Sequence, residues 1–387
     1  MTTYRSFAGA RALATFLLAG AAHGCTETSE VTGQPPEPAA KESSRRSPVA
    51  GIDGGAPDEE TPDTPDAGPT EPPLPPPVPY TNPVLAVDFA DPAVIRGADR
   101  KLYAFATGGL IQRARSTDLV HWEHIGNALA AKPAWANMKN AFWAPHVYEH
   151  GGKFYLYFSA EQNAGSGSFC IGVATAPAAD APFTDVGQPI VCGPSFANID
   201  PMVYDDPATG KPMLYWGSAF QAIRVQELAS DRIRLQPGSQ PIALLVPSAY
   251  AYERLIEAAW VHPRAGYFYL FSSGDDCCGG PAGPPHYAVM VARSKSALGP
   301  FEDYAVVTGS ADNTILVGNA RFHAPGHNAV ITDDAGTDWM VYHSPDRKTP
   351  GPRVMLIDPI KYENGWPAIQ GRSPSEGLQT NGPVFKP

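Results

Sequence analysis

The sequence predicts an all-β fold, a five-bladed β-propeller, over residues 80–387. Short runs of alternating apolar and polar residues dominate this region, and Gly, Pro, Asp and Asn separate them. No convincing long amphipathic helix interrupts the runs. One strand pattern then returns five times, at the spacing of propeller blades, each of which is a small antiparallel sheet.

The repeated strand is aromatic and ends in a small hydroxyl or similar residue. Its five copies begin 51, 59, 55 and 71 residues apart. They are residues 103–107, 154–159, 213–218, 268–272 and 339–343. Five repeats of this kind imply five blades.

A second strand precedes each aromatic strand, and its apolar end suits a position near the central channel. Its first residue forms a column that contains three carboxylates and a histidine. The column is Asp91, Ala144, Asp200, Glu257 and His327. Equivalent positions of a radial repeat surround one axis, so we expect these side chains to meet at the mouth of the channel. The alternative, that the Asp-Pro pairs are only turn residues, explains one acid better than three.

The residues before the propeller read as an export signal and a linker. Residues 1–24 carry Arg5 and Arg11 ahead of an apolar stretch that is too short to cross a bilayer. Cleavage before Cys25 fits a bacterial lipoprotein site, although Ala22 departs from its usual pattern; ordinary secretion is the alternative. Residues 25–79 are rich in Pro and acids and poor in apolar residues, which predicts a disordered tether. The folded part is therefore expected outside the cytoplasm.

Charge and cysteines limit the partners. The formal net charge is −11, which argues against a nucleic-acid partner, and most of that acidity lies in the tether. Four cysteines remain after Cys25. In an oxidising compartment they suggest a Cys170–Cys192 bridge between neighbouring strands, with Cys277 and Cys278 either a vicinal disulfide or free thiols.

Carboxylates that converge on an open channel suit glycoside hydrolysis. One acid protonates the leaving oxygen, and another carboxylate activates water or attacks the sugar. The acid needs a raised pKa, which neighbouring charge can supply.

Several motifs resemble glycoside hydrolase family 43 in their order and spacing. They are Asp88-Phe89-Ala90-Asp91-Pro92, Phe142-Trp143-Ala144-Pro145, Ile199-Asp200-Pro201, Ile256-Glu257-Ala258, Gly326-His327-Asn328 and Tyr342-His343. The resemblance covers about residues 80–370 and implies a five-bladed propeller with inverting chemistry.

The resemblance also implies roles for single residues. Asp91 is then the general base, Glu257 the general acid, and Asp200 the carboxylate that raises the pKa of the acid and orients it. Glu253 is the alternative acid, four residues before the repeat column. His327 is similar to a histidine that binds calcium in the channel, with a packed histidine as the alternative. Trp143 resembles a sugar-stacking residue, and Phe142, Ser218 and Arg353 are assigned to sugar contacts.

The substrate expected from these motifs is α-1,5-linked arabinan or an arabinofuranoside. A β-xylosidase of the same family is the first alternative, and a non-catalytic sugar-binding propeller is the second. Enzymes that cleave sucrose and fructans also use two Asp and one Glu, but Ala90, Ala93 and Ala258 depart from their motifs.

Overall fold

The computed structural model describes residues 73–163, 167–278 and 286–387. The signal peptide, Cys25 and nearly all of the tether lie outside these residues. The described chain forms five antiparallel sheets with a few short helical turns, which confirms the predicted five-bladed propeller. Within the described ranges, no helix combines the length and the apolar character that a bilayer span needs.

The first three blades are consecutive along the chain, and each begins with its innermost strand. Blade 1 consists of β1 (Ala93–Arg96), β2 (Leu102–Ala106), β3 (Gln112–Ser116) and β4 (Glu123–Asn127). Blade 2 consists of β5 (Trp143–His150), β6 (Lys153–Glu161), β7 (Ser168–Ala176), β8 (Thr184–Asp185) and β9 (Val191–Pro194). Blade 3 consists of β10 (Met202–Asp205), β11 (Pro212–Trp216), β12 (Ile223–Glu227) and β13 (Ile242–Leu245).

Blades 4 and 5 have longer inner strands. Blade 4 consists of β14 (Ile256–Arg264), β15 (Tyr267–Asp276), β16 (His286–Ser294), β17 (Glu302–Asp303) and β18 (Thr314–Leu316). Blade 5 consists of β19 (Gly326–Thr332), β20 (Asp338–Asp346), β21 (Thr349–Glu363) and β22 (Trp366–Ala368). The helix α1 spans Tyr304–Thr308, and 3-10 turns span Ala134–Ala136 and Gln370–Arg372.

Apolar side chains fill the spaces between neighbouring blades. The aromatic strands supply most of this core, because their side chains alternate between the two faces of a sheet that is covered on both sides. Tyr155 and Tyr157 pack between blades 2 and 3, whereas Phe154 and Phe158 of the same strand pack between blades 1 and 2. Each blade thus depends on both neighbours for burial.

The two ends of the described chain close the ring at blade 5. The Tyr80 backbone pairs with Gln379, and the Tyr80 ring meets Trp339 edge-on. The buried Asn82 side chain donates to the Ile357 carbonyl at 2.9 Å and accepts from the Ile357 N–H at 3.0 Å. The attachment already begins at Val78, whose N–H donates to Pro383, slightly before the predicted start at residue 80.

Candidate active site

A cleft of about 570 Å³ opens at the channel mouth and brings the predicted acids together. Asp91, Asp200 and Glu257 line it with His327, Trp143 and Arg353, and other residues come from the loops. The carboxylates are buried side chains at the bottom of an otherwise open site. The radial repeat therefore places at one point residues that are far apart in the sequence.

The innermost strands all enter the sheet through a residue with left-handed backbone, an uncommon conformation outside glycine. These residues are Asp91, Ala144, Asp200, Ala258 and His327, with φ between 44° and 59°. The predicted column was wrong by one position in blade 4, because Ala258 and not Glu257 occupies it. The pairing of the first two strands shifts register after Trp143, Glu257 and Gly326. These three residues therefore hold the same position in blades 2, 4 and 5, one residue before the left-handed residue.

Hydrogen bonds tie each left-handed residue to the preceding blade. In four joints, the backbone N–H donates to a side chain in, or directly after, the second strand of the blade before. The pairs are Ala144 to Thr107 (2.8 Å), Asp200 to Ser159 (2.9 Å), His327 to Ser273 (2.8 Å) and Asp91 to His343 (3.0 Å). In the remaining joint, Ala258 N–H donates to the Asp200 carboxylate at 3.0 Å.

Asp91 is surrounded by hydrogen-bond donors and positive charge. Arg353 Nη1 lies 3.3 Å from Asp91 Oδ1, His327 Nδ1 lies 3.4 Å from the same oxygen, and the Thr107 hydroxyl donates to Oδ2. Burial by itself would raise the pKa of Asp91, but Arg353 and the two neighbouring histidines together hold that pKa well below its ordinary value. The carboxylate is therefore ionised and can accept a proton from water.

Glu257 is as buried as Asp91, but neutral hydroxyl groups and not a guanidinium contact its carboxyl. Burial raises the pKa of its carboxyl above the ordinary value, although hydrogen bonds from Ser218 (2.7 Å) and Tyr287 (2.8 Å) act in the opposite direction. Gly326 leaves space for the Tyr287 ring, because a Cβ at this glycine would lie 2.1 Å from that ring. The site thus holds a carboxyl group that keeps its proton to a higher pH than a solvated glutamate.

Asp200 shares the buried electrostatic environment of Glu257. Burial, the Glu257 carboxyl and then Asp91 raise the pKa of Asp200 well above its ordinary value. Two buried carboxyls that interact electrostatically resist simultaneous ionisation. Through its bond to the Ala258 N–H, Asp200 also fixes the backbone next to Glu257.

Aromatic side chains line one side of the cleft. Trp143 is 36% exposed and packs against Phe169 with ring centroids 4.6 Å apart, so its face is available to a sugar. Phe220, which the sequence analysis missed, is 58% exposed and lines the same cleft. The expected sugar contact of Phe142 was wrong. Its side chain is fully buried between blades 1 and 2, because successive residues of a strand face opposite sides.

Other predicted sugar contacts also differ in part from the expectation. Ser218 is fully buried and donates to Glu257, so it touches the acid and does not line the cleft. Arg353 does line the cleft, where it pairs with Asp91. Glu253, the alternative acid, lies in a different cavity and bonds to Ser248 and Asn313. These contacts favour Glu257 over Glu253 as the acid.

The donor atoms of the central channel can be compared with the ligands that the expected calcium ion would need. Among the described residues, no group of three or more His, Cys, Asp or Glu side chains is arranged to hold a metal. Burial lowers the pKa of His327 to about 4, so its imidazole is neutral, as a metal ligand must be. The amide oxygen of Asn328 is buried without a hydrogen-bond partner, and calcium prefers oxygen ligands. These donors fit a largely hydrated ion.

The structure contains the expected Cys170–Cys192 bridge and, of the two alternatives for Cys277 and Cys278, the disulfide. Cys170 and Cys192 join the paired strands β7 and β9. Cys277 and Cys278 form a vicinal disulfide that directly follows β15 and lines the cleft.

Comparison with known proteins identifies the family. The sequence model of glycosyl hydrolases family 43 matches residues 80–367. The chain belongs to this family. It is a glycoside hydrolase, and the chemistry of such enzymes uses carboxyl groups like those that meet at the channel mouth.

Two curated relatives and one solved structure illustrate what this family member is similar to. The extracellular exo-α-(1→5)-L-arabinofuranosidase of Cellvibrio japonicus is 29% identical over 73% of this chain and 86% of its own. The arabinan endo-1,5-α-L-arabinosidase C of Emericella nidulans is 30% identical over 71% of this chain and 89% of its own. The structure of Cellvibrio cellulosa α-L-arabinanase with arabinohexaose is 26% identical, with a TM-score of 0.64, and covers 74% of this chain and 96% of its own.

We predict that Tyr287→Phe moves the alkaline limit of kcat/KM to higher pH. The Tyr287 hydroxyl stabilises ionised Glu257, so its removal raises the pKa of the acid further, and activity is then lost at a higher pH as the acid deprotonates. A pH profile of kcat/KM measures the shift. Tyr252→Phe, a tyrosine with no contact to Glu257, is the control. An unchanged or downward-shifted limit in Tyr287→Phe would contradict the assignment of Glu257.

Proposed function

We propose that this enzyme hydrolyses α-1,5-linked arabinan or α-L-arabinofuranosides with inversion at the anomeric carbon. The observation that carries the proposal is the opposite pKa direction of two carboxyls in one cleft: the pKa of Asp91 is held low, and the pKa of Glu257 is raised. That pairing supplies a general base and a general acid at the same time. The relatives named for arabinan or arabinofuranoside activity support this choice of sugar.

The proposed mechanism gives each carboxyl one task. Asp91 removes a proton from a water molecule as that water attacks the anomeric carbon, while Glu257 donates its proton to the departing glycosidic oxygen. Asp200 and Glu257 together resist simultaneous ionisation, so the pair retains a proton, and Asp200 holds the Ala258 backbone beside the acid. Arg353 and Thr107 keep the base oriented, and Trp143 offers its ring face to the sugar.

Two alternatives remain as outcomes of experiment. A xyloside substrate would use the same acid and base and would differ in the loops around the cleft. A sugar-binding propeller without turnover would have no need for carboxyls whose pKa values are shifted in opposite directions, so the electrostatics of the site favour an enzyme.

We predict that wild-type protein releases arabinose or short arabino-oligosaccharides from linear arabinan. The same product analysis on xylo-oligosaccharides is the matched comparison. Release of xylose alone would show that the enzyme is a β-xylosidase of the same family. Retention on an arabinan column without release of any sugar would indicate a binding protein. The anomeric configuration of the first product, followed by NMR, tests inversion in the same reaction.

We predict that Glu257→Gln and Asp91→Asn each lower kcat on arabino-oligosaccharides by about 10²–10⁴-fold. On an aryl arabinofuranoside with a highly acidic phenol as leaving group, Glu257→Gln should recover most of this loss, because such a group departs without protonation. Asp91→Asn should not recover, since water must still be activated.

Steady-state kinetics on the two substrates separate these roles. Near-wild-type activity of either variant on the oligosaccharide would contradict the assignment, and so would recovery of Asp91→Asn. Near-ultraviolet circular dichroism verifies that each variant is folded.

For the channel, we propose that His327 and the Asn328 side chain would hold a largely hydrated calcium ion. When bound, such an ion would add positive charge near the Asp91 carboxylate. The support is the neutral imidazole and the buried amide oxygen without a partner.

We predict that chelation lowers both the melting temperature and the activity, and that calcium restores them better than magnesium. Thermal unfolding of protein shown to be metal-free, with and without added calcium, measures the effect. In Asn328→Ala the calcium response should weaken. An identical melting temperature of the wild type in both conditions would remove the proposed ion.

We also propose that the enzyme acts outside the cytoplasm, tethered through a lipid on Cys25. The disulfides and the relative named as extracellular support export. Lipidation of Cys25 rests on the sequence around the predicted cleavage site, and metabolic labelling with a fatty acid tests it against Cys25→Ala.

A further inference from the structure

A second cavity of about 440 Å³ adjoins the catalytic cleft. The two cavities share three lining residues, which are Cys277, Cys278 and Arg353. The volume lies in the usual range of small-ligand pockets, roughly 300–1,000 Å³. The acids of the catalytic cleft do not line this distal cavity, so it has no evident part in bond cleavage.

The vicinal disulfide forms the boundary between the cavities. It joins neighbouring residues into a small ring with no thiol to react, and it follows directly after the end of β15. Its position is fixed by the Cys278 N–H, which donates to Asp276 Oδ1 at 3.0 Å. Such a ring exposes polarisable sulfur and CH₂ groups, which suit the C–H face of a sugar.

Arg353 links this boundary to the base. Its Nη1 atom lies 3.3 Å from Asp91 Oδ1 and 3.8 Å from Cys278 Sγ. A sugar unit in the catalytic cleft and one in the distal cavity would therefore both meet the same guanidinium, on either side of the disulfide.

The hairpin turn between β20 and β21 builds the opposite wall of the distal cavity. Asp346, at the start of the turn, is buried and forms two-pronged contacts with Arg321, at 2.8 and 3.2 Å. Asp346 also accepts the Lys348 N–H at 2.9 Å, so the backbone of the turn is held in place. Arg347 lines the cavity from this turn and is exposed, with donors that can bind sugar hydroxyls.

We propose that the distal cavity binds a further sugar unit of the polysaccharide, with the Cys277–Cys278 disulfide as its apolar platform and Arg347 as its hydroxyl ligand. The ligand class is a neutral pentose oligomer that extends from the catalytic cleft. This inference rests on the proposed function, because it takes the substrate to be a chain of arabinose units. Such a subsite would make activity depend on the length of the substrate chain, which the acid and the base do not.

The experiment compares a long and a short substrate in the full protein. The readout is the ratio of kcat/KM on arabinohexaose to kcat/KM on an aryl arabinofuranoside, which reaches only the catalytic cleft and its immediate edge. Arg347→Ala and the double variant Cys277→Ser/Cys278→Ser should each lower this ratio by about tenfold, the effect of losing one good polar or packing contact. Lys348→Ala removes the neighbouring charge, does not touch the cavity and should leave the ratio unchanged.

Each outcome bears on the proposal. A lower ratio in both test variants, with Lys348→Ala unaffected, supports the distal subsite. An unchanged ratio in Arg347→Ala, or an equal fall in Lys348→Ala, overturns it, because the effect would then be absent or merely one of surface charge. Proportional losses on both substrates in the double variant would assign the disulfide to the catalytic centre alone.

A binding measurement separates this inference from the proposed function. If the wild type hydrolyses neither substrate, the proposed function fails. Calorimetric titration with arabinohexaose then tests sugar binding in the distal cavity without relying on hydrolysis. Weaker binding in Arg347→Ala than in Lys348→Ala would support the cavity as a sugar site, whereas equal affinity or no binding would overturn it.

Discussion

The hydrogen bond between blades is the interaction on which the site depends. At each joint, a residue with left-handed backbone directs its N–H out of its own blade, and the preceding blade supplies the acceptor. The bond compensates a conformation that is otherwise unfavourable for a residue with a side chain. Because the pattern returns around the ring, the innermost strands start at equivalent positions, and their first side chains face one another across the channel.

The acid occupies the joint that departs from this pattern. Ser218 belongs to the second strand region of its blade, as Thr107 and Ser159 do, but its hydroxyl donates to Glu257, and the Asp200 carboxylate accepts the N–H of Ala258. One exchange of partners therefore connects the backbone beside the acid to the Asp200 carboxyl, whereas the Asp91 carboxylate pairs with the Arg353 guanidinium. The opposite pKa directions of Asp91 and Glu257 follow from this local difference, because the carboxyl group itself is the same in both.

The repeat in the sequence was sufficient to predict the propeller and the meeting of Asp91, Asp200 and His327, because residues in equivalent strands must share one axis. It was insufficient in blade 4, where Glu257 was aligned with the acids of the other blades. The register shift after Glu257 matches those after Trp143 and Gly326 and places Ala258 in the column. The same limit affected Phe142, since one residue decides which face of a strand a side chain takes. Phe220 and Arg347 come from loops, whose course no periodicity predicts.

Reaction chemistry and recognition of the chain should therefore be separable in this fold. The acid and base are fixed by the ring of hydrogen bonds, which every blade helps to hold and which tolerates little change. The vicinal disulfide and the turn at Arg347 follow the ends of strands, where a substitution need not disturb the ring. If a substitution there changes affinity for long substrates and leaves the pH profile intact, the two functions are carried by different parts of the same blades.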